Sequence, residues 1–159
     1  MTLKVHLQHA LAAMTHFSTG QETVDVSDGP RHLQAELTAL DTLACSFTRL
    51  SLRADSLKNR SPSELKRIAE QLSGKLTYLL EPISPIETDA EGCVVQMRSN
   101  PPQKEADCTS YYELLVARTG ELSLARYSRN SGQLREVVAA HVTREVLCRL
   151  AGDLSAAAA

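Results

Sequence analysis

Residues 61–76, SPSELKRIAEQLSGKL, and residues 143–154, TREVLCRLAGDL, enclose a stretch of alternating apolar residues, and this arrangement decides the fold. Ser61, Pro62, Ser63 and Glu64 spell a capping box: the Ser61 hydroxyl can accept a first-turn N–H, and Glu64 can reach back to the Ser61 N–H. Pro62 stands at the first helical position, where a missing N–H costs nothing. Leu65, Ile68, Ala69, Leu72 and Leu76 fall on one stripe, Lys66 and Glu70 can pair outside it, and Gly74 supplies a stop. At the far end Thr143 can cap a helix with Val146, Leu147, Leu150 and Leu154 inward and Glu145 paired with Arg149 outside.

Between the two helices the period is that of strands. Residues 78–87 make the first, but Pro82 and Pro85 remove ladder donors and place it at a sheet edge. Residues 88–92 turn, residues 93–98 return, and residues 99–107 read as a polar, proline-rich loop. Residues 111–117 and 122–127 alternate around Arg118, Thr119 and Gly120, a short turn suited to a hairpin with a bulge. Asn130, Ser131 and Gly132 mark another turn, and residues 134–138 read as one more strand.

Toward the N-terminus, Leu3, Leu7, Ala10, Leu11, Met14 and Phe17 form one helical stripe over residues 3–17, with His6, His9 and His16 opposite. A polar break from Ser18 and a turn ending at Pro30 separate this helix from the body, to which it is expected to be loosely attached; a short strand fits residues 23–26. Residues 31–42 fit two periods. Leu33, Ala35, Leu37 and Ala39 alternate, while Leu33, Leu37, Leu40, Leu43, Ala44 and Phe47 suit a helix. Because the following Ser- and Thr-rich run also alternates, strands at 31–39 and 43–53 are expected. Residues 155–159 are low in complexity and are expected to be a disordered tail.

These elements predict a single α+β domain over residues 1–154: an antiparallel sheet of five to seven strands flanked by N-terminal, central and C-terminal helices. The order helix, strands, helix, strands, helix is similar to that of the small dimeric secretion chaperones of the type III class, although the second half here holds more strands than that fold has. The likeness covers most of the chain and is one of element order, with no diagnostic residue.

Composition narrows the function. With 159 residues the chain supports one sizeable core, and aromatics at 4% with no Trp make that core aliphatic and leave few rings for base or sugar stacking. A net charge of −2 gives no overall attraction to nucleic acid or an anionic membrane. Apolar runs are shorter than a bilayer span, and residues 1–17 lack a leader's cleavage pattern. Cys45, Cys93, Cys108 and Cys148 are irregularly spaced, which favours free thiols in a reducing cytoplasm.

Candidate chemistry is thin. His6, His9 and His16 could share a helix face, but no acidic or thiolate partner accompanies them, so a solvated face is expected and no metal site. Glu87, Asp89, Glu91 and Gly92 imitate the start of a calcium loop, but Arg98 stands where the bidentate Glu belongs. His141 and Cys148 are seven residues apart with no orienting third group. Residues 49–75 are basic and residues 81–107 acidic, which suits either pairing within the fold or a docking surface. Tyr111, Tyr112, Arg126, Tyr127 and Arg129 gather on the likely hairpin, as interface residues or as cross-strand pairs. The expectation is a non-catalytic cytoplasmic protein-interaction module, adaptor or chaperone-like, whose partner is another protein or a second copy, with no cofactor. The alternative is a small-ligand binder or enzyme whose site joins remote residues, marked by a pocket of His141, Arg126 or Arg129 with a carboxylate.

Overall fold

The computed structural model describes residues 2–89, 94–99 and 101–159, those at 85–89 by backbone alone. Helix α1 (Leu3–Ala13) leads into strands β1 (Glu22–Asp28), β2 (Arg31–Leu40) and β3 (Ala44–Ala54), followed by helix α2 (Pro62–Lys75). Strands β4 (Ile83–Asp89), β5 (Val94–Ser99), β6 (Gln103–Glu105), β7 (Cys108–Ala117), β8 (Glu121–Asn130), β9 (Glu136–Val138) and β10 (Ala140–Thr143) come next, and helix α3 (Arg144–Ala157) closes the chain. Among the described residues the strands form one antiparallel sheet in the order β1-β2-β3-β8-β7-β5-β4, with β6, β9 and β10 attached to β7, β8 and β3. The class is α+β, as the alternation and the capped helices require.

The doubtful segment 31–42 is strand because period two buries Leu33, Ala35 and Leu37, whereas the helical stripe needs Leu43, which is 77% exposed. Asp41 fixes the reversal before β3 by accepting the N–H groups of Leu43 (2.8 Å) and Ala44 (2.7 Å). Those two donors, Ala44 first, hold its carboxyl below the usual range.

One sheet face is aliphatic across its width. Leu50, Leu124, Leu114 and Met97 make one row, and Leu52, Leu122, Val116 and Val95 the next, all buried. The helices cover this face with Leu3, Leu7 and Leu11 of α1, Leu65, Ile68 and Leu72 of α2, and Leu147, Leu150 and Leu154 of α3. Helix α1 packs on α3 and β1, α2 on β4 and β5, and α3 on β3. Each such side chain contributes about 1.5–3 kcal/mol relative to leaving it in water, which the ordering of the chain largely offsets. No described helix is long and apolar enough to cross a membrane.

Several expectations change. Helix α1 is firmly seated rather than loosely attached, and it stops at Ala13, so that Phe17 instead bridges to Leu40 through bonds of 3.0 and 2.8 Å. Ser61 caps α2 through the Glu64 N–H (3.2 Å), but the Glu64 carboxylate takes the Ser61 hydroxyl and Arg60 rather than the Ser61 N–H. Gly74 does not stop α2, which runs to Lys75 and ends as the Leu76 N–H bonds Leu72. Residues 78–82 are not strand, and β4 begins only at Ile83, at the edge that the prolines demand. The loop at 99–107 contains β6, and β10 follows β9 where no strand was read. Residues 155–157 are helix rather than a disordered tail: Ser155 and Ala158 are buried, Ser155 accepts from Arg31, and the Ala158 carbonyl accepts the Ser56 hydroxyl. Arg149 leaves Glu145 to lie 4.0 Å over the Tyr78 ring, whose hydroxyl donates to Asp153 at 2.6 Å.

Two glycines test these local readings. Gly120 turns the β7–β8 hairpin at φ +99°, and a Cβ there would lie 3.0 Å from the Ala54 carbonyl oxygen, while Gly74 is helical with open space around it. Gly120→Ala is expected to cost about 1–3 kcal/mol and Gly74→Ala to gain about 0.5–1 kcal/mol, both read from urea unfolding midpoints at constant slope.

Candidate functional site

Strands β3 and β8 pair at Leu50 with Leu124 through Arg53 with Glu121 and then separate. Into the gap comes a V. Strand β9 runs inward along β8, the chain reverses at Ala139, and β10 runs outward along β3. Beside this V, on the helix-bearing face and past the end of α2, lies a groove of about 530 Å³. Its lining includes Leu80, Glu81, Gln103, Tyr112, Arg126 and His141.

Arg126 is the centre of the groove. Its guanidinium lies 4.6 Å over the Tyr112 ring, pairs with Glu81 at 2.9 Å and donates to Gln103 at 3.1 Å. Burial raises the pKa of the Tyr112 hydroxyl, and the Arg126 charge opposes that only in part. Glu81 Oε1 is buried with no hydrogen-bond partner among the described residues. Leu80, on the rim, is 95% exposed and has a left-handed backbone, φ +67°. His141 is exposed and shares a 2.6 Å hydrogen bond through Nδ1 with the buried Ser46 hydroxyl. The groove can therefore accept an acidic or hydrogen-bonding group at the Arg126 edge and an apolar one at Leu80.

The opposite face holds a second polar centre. Glu113, with only 2% of its side chain exposed, pairs with Arg135 at 2.7 Å and lies 3.7 Å from Arg98, and it accepts the Gln96 amide. Arg98 lies 4.9 Å over Tyr111 and Arg135 3.9 Å over Tyr127, and the two rings are 6.1 Å apart. Next to this network, where β3 and β8 part, is a depression of about 340 Å³ lined in part by Glu36, Thr48, Arg49, Ser123 and Val137.

The residues singled out by sequence are thus redistributed. Tyr111, Tyr127 and Arg129 share the open face, while Tyr112 and Arg126 face the helices, because alternation divides neighbours. Both of the open-face tyrosines are in cross-strand register, and both carry a stacked arginine. His141 and Arg126 do meet a carboxylate, Glu81; Arg129 lies elsewhere. His6 and His9 stand on α1, but His16 lies beyond its end, and no three His, Cys, Asp or Glu side chains converge among the described residues. The acidic turn at 87–92 lies outside the described side chains. Cys148 is buried and takes no part with His141, its thiol raised in pKa by burial. Among the described residues the basic and acidic segments do not pair with each other: Arg49 pairs with Glu121, Arg60 with Glu64, and Glu81 with Arg126. Glu81, Leu80 and Glu113 gave no signal in sequence beyond Pro82, which marks an irregular backbone.

Comparison with known proteins yields no matching family, curated protein or solved structure.

The paired carboxylate and the thiols give two measurable consequences. Removing the partner of a buried charge leaves that charge uncompensated, so Arg135→Ala, which leaves the Glu113 carboxylate facing only Arg98 and Gln96, is expected to cost about 2–4 kcal/mol in urea unfolding, and Glu113→Ala, which leaves arginines that reach water, about 1 kcal/mol. Cys45, Cys108 and Cys148 are all free thiols. Burial pushes the Cys45 thiol up to about 11, whereas Cys108 is half-buried, so iodoacetamide at about pH 8 should modify Cys108 well before Cys45 or Cys148 in peptide maps of the native protein.

Proposed function

We propose that this chain is a non-catalytic cytoplasmic protein-interaction module, adaptor or chaperone-like, that seats a segment of a partner protein in the groove beside Arg126. The observation carrying this reading is Leu80, a leucine left in water on a backbone that leucine disfavours, at the rim of a groove floored by Tyr112 and Arg126. A left-handed leucine costs roughly 1–2 kcal/mol, and its exposure gains nothing in the isolated chain. An apolar partner surface laid over it would recover that cost. Tyr and Arg, stacked here on the groove floor, are the residue types that dominate interface energetics.

A small-ligand or enzymatic reading of the same groove draws on one observation, the meeting of Arg126, His141 and Glu81 in one place. The interaction reading is preferred because the groove is broad and open, and because Leu80 on its rim is apolar and almost wholly exposed.

The test uses two variants at one position. Leu80→Gly relieves the backbone and removes the side chain, so it should leave stability equal or higher while weakening partner capture by about tenfold or more. Leu80→Asp should abolish capture with circular dichroism unchanged. The measurement is quantitative co-purification of the full chain from native cells after mild cross-linking, together with light scattering. A chain that has neither stoichiometric partner nor self-association, or a partner retained equally by both variants, overturns the proposal.

A further inference from the structure

Where β7 begins and β8 ends, on the face away from the helices, a further pocket opens. Its volume is about 440 Å³, and Arg98, Lys104, Thr109, Tyr111, Arg129 and Asp107 line it. The sheet register builds it. Lys104 of β6, Thr109 of β7 and Arg129 of β8 stand side by side in one row across three strands. Arg98 reaches in from β5, its guanidinium over the Tyr111 ring at 4.9 Å. The walls are two turns tied together by the Ser131 N–H bonding the Asp107 carbonyl at 2.9 Å. One of them, the two-residue turn at Ala106 and Asp107, has Ala106 at φ +50°, where glycine is usual. The other turns at Gly132, φ +76°.

Three cations thus face one carboxylate, and they are incompletely satisfied by the protein. Arg129 spends its Nε on the Gln133 carbonyl at 2.9 Å, and Arg98 Nε, 3.7 Å from Glu113, has no hydrogen-bond partner among the described residues. Lys104 is exposed and in no ion pair among the described residues. Hydroxyls of Thr109 and Ser131 add neutral donors at the same pocket.

We propose that this pocket binds a phosphate group, free or as a small monoester. Donors arriving from three strands suit a tetrahedral dianion better than a planar carboxylate, which one forked arginine already satisfies. The ligand is small because the chain's net charge of −2 removes the long-range attraction on which polyanion binding depends. This site lies on the face opposite the Arg126 groove and stands or falls independently of it.

The experiment is an NMR titration of the full chain with inorganic phosphate, O-phosphoserine, acetate and chloride at matched ionic strength. Saturable shifts at the amides of Thr109, Ser131 and Gly132 are expected with phosphate and not with acetate or chloride. Lys104→Gln with Arg129→Gln should weaken binding by about tenfold or more, and Arg129→Lys should recover part of it. Lys66→Gln with Arg67→Gln, the same charge change on the exposed face of α2, should leave the affinity unaltered. O-phosphoserine binding tighter than phosphate identifies the ester as the ligand, and the reverse identifies free phosphate. No saturable shift, equal response to acetate, or equal loss in both double variants overturns the proposal.

Discussion

Strands β3 and β8 share four residue pairs and then part, and the Arg126 groove and the depression beside Glu113 both lie at that separation. The ladder between β2 and β3 shifts register around Glu36, Leu37 and Ala39, and such irregularities bend a strand and raise its twist. A strand pair pulled apart in the middle of a sheet leaves rows of backbone donors and acceptors without partners, a cost of the order of 1–3 kcal/mol for each group that stays buried and unbonded. The V of β9 and β10 meets that need on both arms, β9 against β8 and β10 against β3. Its apex, Ala139, then lines the groove on one face, while Val137 lines the depression on the other.

What holds the V in register is electrostatic as much as apolar. Arg135 stands just ahead of β9, and its contact with Glu113 requires Val137 to be opposite Tyr127, as observed. A shift of one residue would turn Arg135 away and leave a carboxylate that is almost wholly desolvated facing only Arg98 and Gln96. The arginines keep part of their surface in water, so the desolvation cost falls mainly on Glu113 and the pairing can repay it. Stacking on Tyr127 adds about 0.5–1 kcal/mol. Such a network is worth more for choosing one arrangement than for raw stability.

The legible parts of the fold were those governed by local rules. Ser61 and Thr143 announced their helices because capping is decided within three residues. Pro82 and Pro85 announced an edge because a missing donor is a property of the residue itself. Gly120 and Gly132 announced turns that their positive φ values explain. The reversal at Ala139 was invisible, since it answers a gap created by strands about 90 and 10 residues earlier and carries no glycine or proline of its own. Gly74 misled because a helix stops where its packing ends, and Leu76 still had a place in the core. Glu113 gave no signal, because the arginines that enclose it, Arg98 and Arg135, arrive from other elements.

The same reasoning explains why the functional surface was only half readable. Tyr111 and Tyr112 are neighbours in sequence, as are Arg126 and Tyr127, and a strand sends neighbours to opposite faces. A cluster of five Tyr and Arg residues on one hairpin is therefore two clusters in space. Tyr112 and Arg126 join Glu81 and His141 beneath the helices' edge, and Tyr111, Tyr127 and Arg129 join Arg98, Lys104 and Arg135 on the open side. Each face keeps Tyr beneath Arg, so each guanidinium is held over a ring, 3.9 to 4.9 Å from its centroid. One hairpin, by the two-residue period of its backbone, thus supplies tyrosine rings that hold cations on both sides of the sheet.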